Sequence, residues 1–195
     1  MKYFIYLSFV ILSSCLVMPK YYLHTEKSLN NFSIKGEDKF VLIKNNFYSV
    51  GADFSNKVDS DFSNIIKNLS LNPSFLEFSN EKFIHHLNEE QLDIIRNETK
   101  CEYILLIQTI LKPSILHQKS FTSITTYEKN KEREYHVILQ LIDIEKRKVL
   151  YSKESMSRIK ISYEYSTSST TQDQQLLKTY NILYKDFKEE LLKMK

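Results

Sequence analysis

The stretch Cys101-Glu102-Tyr103-Ile104-Leu105-Leu106-Ile107-Gln108-Thr109-Ile110-Leu111-Lys112 decides the fold. Read with the two-residue period of a strand, it places Tyr103, Leu105 and Ile107 on one face and Ile104, Leu106 and Ile110 on the other. Apolar residues on both faces require cover from both sides, so this strand belongs in the middle of a sheet packed with helices.

Downstream, REYHVILQLIDI and KVLYSKESM are separated by the polar EKRK and predict a hairpin. The first of the two alternates Tyr135, Val137, Leu139 and Leu141 against His136, Ile138, Gln140 and Ile142. The second is less apolar, which predicts an edge strand. Thr171-Gln172-Asp173-Gln174 has the form of a capping box, opening a helix with Leu176, Leu177, Tyr180, Leu183, Tyr184, Phe187 and Leu191 along one side.

Upstream, DKFVLIK (38–44) reads as a buried strand, and Val58, Phe62, Ile65, Ile66 and Leu69 form the stripe of an amphipathic helix. SFLEF (74–78) predicts a second strand. Residues 81–100 predict helix with a break, restarting at an Asn88 cap with Gln91 three residues on and Leu87 set to staple against Leu92. The expected fold is therefore α/β (α+β mixed), with a five-stranded mixed sheet in the order β-α-β-α-β-β-β-α. The first three strands are parallel and the hairpin adds antiparallel ones.

The 195 residues are 42% hydrophobic and 26% charged, a composition that supports one good core. Basic and acidic residues number 27 and 24 and are interleaved, so no basic patch for nucleic acid is expected. Gly36 and Gly51 are the only glycines, which excludes Gly-rich phosphate-binding loops.

The chain opens MKYFIYLSFVILSSCLVMPK. Lys2 precedes an apolar stretch from Tyr3 to Leu12 that is shorter than the about 20 residues a bilayer span needs, so it reads as an export signal. A peptide anchor in which Cys15 is incidental is the competing reading, and this length argues against it. Leu12-Ser13-Ser14-Cys15 resembles the bacterial lipobox, in which the cysteine is acylated and becomes the new N-terminus. The expected organisation is a lipoprotein signal peptide at 1–14, a lipidated N-terminus and flexible tether at 15–37, and a single α/β domain at 38–195. Cys101 then has no partner for an internal disulfide and is expected as a buried small hydrophobe.

Strand polarity brings three connections to the carboxyl ends of the strands: NNFYSV (45–50), SFTSITTYEKNKE (120–132) and SYEYSTSSTTQD (162–173). Open sheets bind ligands at that end, so Tyr48, Tyr127, Tyr163 and Tyr165 are candidate partner-binding residues. The same composition suits solvated loops whose hydroxyls satisfy local backbone groups. Catalytic motifs are scarce. The adjacent His85 and His86 point about 100° apart on a helix and cannot share a metal, and His24, His117 and His136 are isolated in sequence. No catalytic residue, metal or cofactor is expected.

The strand and helix order, together with VILQLIDIEKRKVLYSKES and IIRNETKCEYILLIQT, resembles the periplasmic domain of three groups of proteins. These are the curli-secretion lipoproteins, the outer-membrane lipoprotein activators of penicillin-binding proteins, and the N-terminal domain of TolB-type proteins. Leu141, Ile142, Asp143, Val149 and Leu150 fit their pattern of Leu-Ile-Asp, turn, Val-Leu, over roughly residues 38 to 192. The turn glycine that follows their aspartate is replaced here by Glu145-Lys146-Arg147-Lys148, and residues 113–134 lack the sustained alternation that a membrane-inserted pore strand needs.

The resemblance and the lipobox together imply a non-enzymatic, membrane-anchored lipoprotein. It would be held to the bilayer through acylated Cys15, in the outer membrane facing the periplasm, and would bind another envelope protein. The alternative expectation is an oligomeric component of an envelope export or assembly apparatus.

Overall fold

The computed structural model describes residues 18–29, 32, 35–45, 51–71, 87–112, 130–162 and 171–193. In chain order the elements are β1 (Lys20–Lys27), β2 (Phe40–Asn45), α1 (Ala52–Ser63), β3 (Leu69–Leu71), α2 (Glu89–Thr99), β4 (Tyr103–Lys112), β5 (Asn130–Asp143), β6 (Lys148–Ser162) and α3 (Gln172–Leu192). They form a mixed α/β structure around a six-stranded sheet of order β1-β6-β5-β4-β2-β3. Strands β3, β2 and β4 run parallel, and β4-β5-β6-β1 are successively antiparallel.

β4 lies between β2 and β5, as its two apolar faces require. Leu105 and Ile107 join Phe40, Leu42, Val137 and Leu139 beneath α1 and α3, which contribute Phe54, Val58, Phe62, Leu176, Leu183 and Phe187. On the opposite face Ile104 and Leu106 meet Val41, Ile43 and Ile142, covered by Leu92 and Ile95 of α2. The result is three layers with a core on each side of the sheet. Each buried Leu, Ile, Val or Phe contributes on the order of 1.5–3 kcal/mol.

Both predicted capping boxes form. Asn88 accepts from the Gln91 backbone while Gln91 accepts from the Asn88 backbone, and Thr171 and Gln174 do the same. Each satisfies two amides that the first helical turn leaves without intrahelical partners. The hairpin turn is set by Asp143, whose Oδ1 accepts the Lys146 amide at 2.9 Å. Arg147 takes the left-handed conformation, φ 50°, within this turn.

Three expectations are corrected. The sheet has six strands where five are expected, because Lys20–Lys27 is a strand within the stretch read as polar tether. Its side chains are largely exposed on both faces, so no apolar alternation marked it. It follows that β6 is an interior strand rather than an edge, since β1 pairs along its outer side. Among its buried polar residues, Ser157 accepts hydrogen bonds from Gln175 and Thr179 of α3, and Ser152 donates to Glu26 of β1.

The helical stripe 58–69 ends early: α1 stops at Ser63, Ile65 and Ile66 reach the core from the following turn, and Leu69 pairs with Phe40 in β3. The second parallel strand is Leu69–Leu71, whereas the predicted strand at 74–78 lies outside the described residues.

Candidate functional site

Among the sequence-predicted site residues, Cys15, Tyr48, Tyr127, Tyr163 and Tyr165 all lie outside the described residues, as do His85, His86 and His117. The described strand termini that flank the candidate loops, Asn45, Lys112 and Ser162, do lie at one end of the sheet, as the predicted strand directions require.

What the described residues bring together is a pair of buried ionic clusters on opposite faces of the β5–β6 hairpin. On the α2 face, His136 sits between two carboxylates. Its Nε2 is 2.6 Å from Oε1 of Glu134, and its Nδ1 bonds Oε1 of Glu154. Glu134 in turn accepts from Nε of Arg158 at 2.6 Å. Strand register explains the meeting: Glu134 faces Arg158 directly, and Glu154 is the diagonal neighbour of His136. Both ring nitrogens are thereby engaged, and the imidazole bridges the two acidic side chains.

The arrangement ties β5 to β6. Polar pairs extend the same face: Asn45 donates to Gln108 at 2.8 Å, and Ser152 donates to Glu26 of β1 at 2.6 Å.

On the α3 face, the ammonium of Lys153 lies 2.6 Å from Asp186 and 2.5 Å from Glu190, with Tyr151 donating to Asp186 at 3.2 Å. Lys153 is only 4% exposed. Burial lowers its pKa, but the two carboxylates outweigh that and hold it above the ordinary lysine value. Burial, reinforced by Asp186, pushes the Tyr151 phenol far above the usual tyrosine range. Glu190 also accepts the Leu29 amide at 2.8 Å, fastening the chain just after β1 to α3.

Cys101 is buried as expected, with its thiol donating to the Thr99 carbonyl at 3.6 Å. Burial pushes this thiol up, against smaller lowering effects of Thr99 and Lys39. A surface cleft of about 230 Å³ lies near the amino end of β2, lined in part by Lys35, Asp38, Ile66 and Asn68. Within it, Asp38 accepts the Lys35 amide and Asn68 donates to the Gly36 carbonyl. Among the described residues, no group of three or more His, Cys, Asp and Glu side chains is arranged to hold a metal ion. Among them too, no helix is long and apolar enough to cross a membrane.

The His136 cluster was missed in sequence because its members are far apart or of mixed type. The available signal was polar residues at two-residue spacing, Glu134 and His136, on a face that continues with Ile138, Gln140 and Ile142. Folding the hairpin about EKRK brings Glu154 and Arg158 opposite them.

No protein-family model and no curated protein matches the chain by sequence. Among solved structures, the chain is similar to the PelC dodecamer of Paraburkholderia phytofirmans, at 15% identity and a TM-score of 0.43 over 89% of this chain and 97% of that one. It is similar to the lipoprotein GNA1162 of Neisseria meningitidis at 13% identity and a TM-score of 0.36, over 78% and 99%. It is also similar to the hypothetical protein CT253 of Chlamydia trachomatis at 10% identity and a TM-score of 0.38, over 79% and 95%. These neighbours are bacterial and one is a lipoprotein. None bears the name of the curli-secretion, penicillin-binding-protein activator or TolB types that the sequence pattern resembles. At these values the likeness is one of partial chain path.

Proposed function

We propose that the protein is a lipid-anchored bacterial envelope protein without enzymatic activity, which binds another envelope protein through the loops at the carboxyl ends of its strands. The observation that carries this reading is the lipobox: Leu12-Ser13-Ser14-Cys15 stands directly after an apolar stretch too short to span a bilayer. Acylation with several chains gives stable anchoring, at about 0.8 kcal/mol for each buried CH₂. The described polar interior agrees with a binding role, because its His, Lys, Arg and carboxylate groups are engaged with one another across strands and with α3.

Metabolic labelling with a fatty-acid analogue tests the anchor. The wild-type chain takes up label and fractionates with membranes, and Cys15→Ala loses both properties. A Cys15→Ala chain that keeps its label would overturn the assignment. For the binding surface, substitution of Tyr127 and Tyr165 reduces capture of the partner from solubilised membranes while Cys15 stays acylated. The alternative, an oligomeric export or assembly component, is decided by the mass of the intact chain in detergent.

A further inference from the structure

The reading of residues 15–37 as a long tether leaves the domain free to sit anywhere within reach of the membrane. The structure shortens that leash. Ordered chain is already present at Met18, and β1 begins at Lys20. Only Leu16, Val17, Met18 and Pro19 separate Cys15 from the sheet. Fully extended, the Cys15-to-Lys20 span is at most about 18 Å.

The amino end of β1 has a defined place. Lys20 is opposite Arg158, toward the carboxyl end of β6, so β1 enters the sheet at the end where β2, β4 and β6 finish. The opposite end, at the Lys148 side of β6, is ten residues away and so about 33 Å distant.

This corner also concentrates exposed apolar surface. Met18 is 61% exposed, Tyr22 49% and Leu23 39%, within six residues of one another and next to Lys20. Tyrosines with a neighbouring lysine suit the headgroup level of a bilayer, where an apolar body meets lipid and a polar tip meets water or phosphate. Among the described residues no strand pairs along the outer side of β1. Backbone groups on such an edge are incompatible with the hydrocarbon core but are satisfied among hydrated headgroups.

We infer that the corner formed by Met18, Lys20, Tyr22 and Leu23 rests on the headgroup region of the bilayer, orienting the sheet with its Tyr-rich loop end toward the membrane and the Glu145–Lys148 turn away from it. The inference rests on the lipoprotein reading and adds a fixed orientation to it.

The chain contains no tryptophan, so a single introduced indole reports one place. The intact chain carrying Tyr22→Trp, and separately Glu145→Trp in the exposed turn, is reconstituted into vesicles made with or without lipids brominated near the headgroup. Leu23→Trp serves as a second corner probe should Tyr22→Trp fold poorly. The expected result is loss of emission and a blue shift for the corner probes in brominated vesicles, with no change for Glu145→Trp. With Cys15 shown by mass to be acylated and the chain membrane-bound, unquenched corner probes would overturn the inference alone. Corner probes that are blue-shifted but unquenched, in a chain that runs as a dimer, would overturn it in favour of edge pairing between copies. An unmodified Cys15 would remove the lipoprotein reading and the orientation with it.

Discussion

Nε2 of His136 stands 2.6 Å from Oε1 of Glu134, its neighbour two residues back on the same face of β5. Glu154 of β6 bonds the other ring nitrogen, so one imidazole separates two carboxylates that would otherwise repel each other across the hairpin. Both His136 and Glu134 are under a tenth exposed. Removing the imidazole leaves the buried Glu134 with Arg158 alone and takes from Glu154 its bond across the hairpin. His136→Ala is expected to destabilise the protein by about 2–4 kcal/mol. Urea unfolding measures it, and a His136→Leu, Glu134→Leu double variant should recover part of the loss. A variant cycle showing strict additivity would mean that the two side chains are not coupled.

Lys153 makes a second such test. With Asp186 and Glu190 both bonded to its ammonium, Lys153→Met leaves two carboxylates facing each other under α3. A loss of about 3–5 kcal/mol is expected. The charge-removing combination Lys153→Met with Asp186→Asn and Glu190→Gln should be milder than Lys153→Met alone, as thermal melts would show.

The same buried groups set an alkaline limit. Lys153, with its pKa held up in the folded state, keeps its proton above the pH at which an unfolded lysine loses one. Tyr151 and Tyr180 stay neutral where unfolded tyrosine ionises, near pH 10. In all three cases the unfolded chain binds fewer protons, so stability is complete below about pH 10 and declines as pH rises beyond it. Absorbance titration near 295 nm should show Tyr151 and Tyr180 ionising only with the unfolding transition. Their ionisation in chain that is still folded by circular dichroism would contradict the burial argument.

Lys100 ends α2 in the left-handed conformation, φ 54°, where a side chain costs energy and glycine does not. Lys100→Gly is expected to stabilise the protein, by up to about 1 kcal/mol once the greater freedom of glycine in the unfolded chain is counted. A shift of the urea midpoint to lower concentration would show that the Lys100 side chain has a compensating role.

The Cys101 thiol, buried and raised in pKa, should react with an aromatic disulfide reagent only as fast as the chain opens. Addition of denaturant through the unfolding transition should release the reaction. Rapid modification of the native protein would place the thiol at the surface.

Local chemistry made several elements legible in the amino-acid order. The doubly apolar β4, the alternating β5 and the two capping boxes are all properties of residues within a few positions of each other, and the chain adopts each as written. The apolar stripe of α1 was legible too, but its end was not, because Ile65 and Ile66 are apolar for the core they reach and not for a helical period. β1 was invisible for the opposite reason: an edge strand with exposed side chains on both faces carries no apolar pattern, and its place is decided by the open edge of β6.

By itself, then, the sequence determined the central strand, the hairpin and the helix caps, since each depends on periodicity or short-range motif. Tertiary structure alone decided that His136 stands between Glu134 and Glu154, that Lys153 meets α3, and that Lys20–Lys27 joins the sheet beside β6. Those relationships depend on strand register and layer packing. Both are set by which distant surfaces bury one another, and neighbouring residues do not encode that.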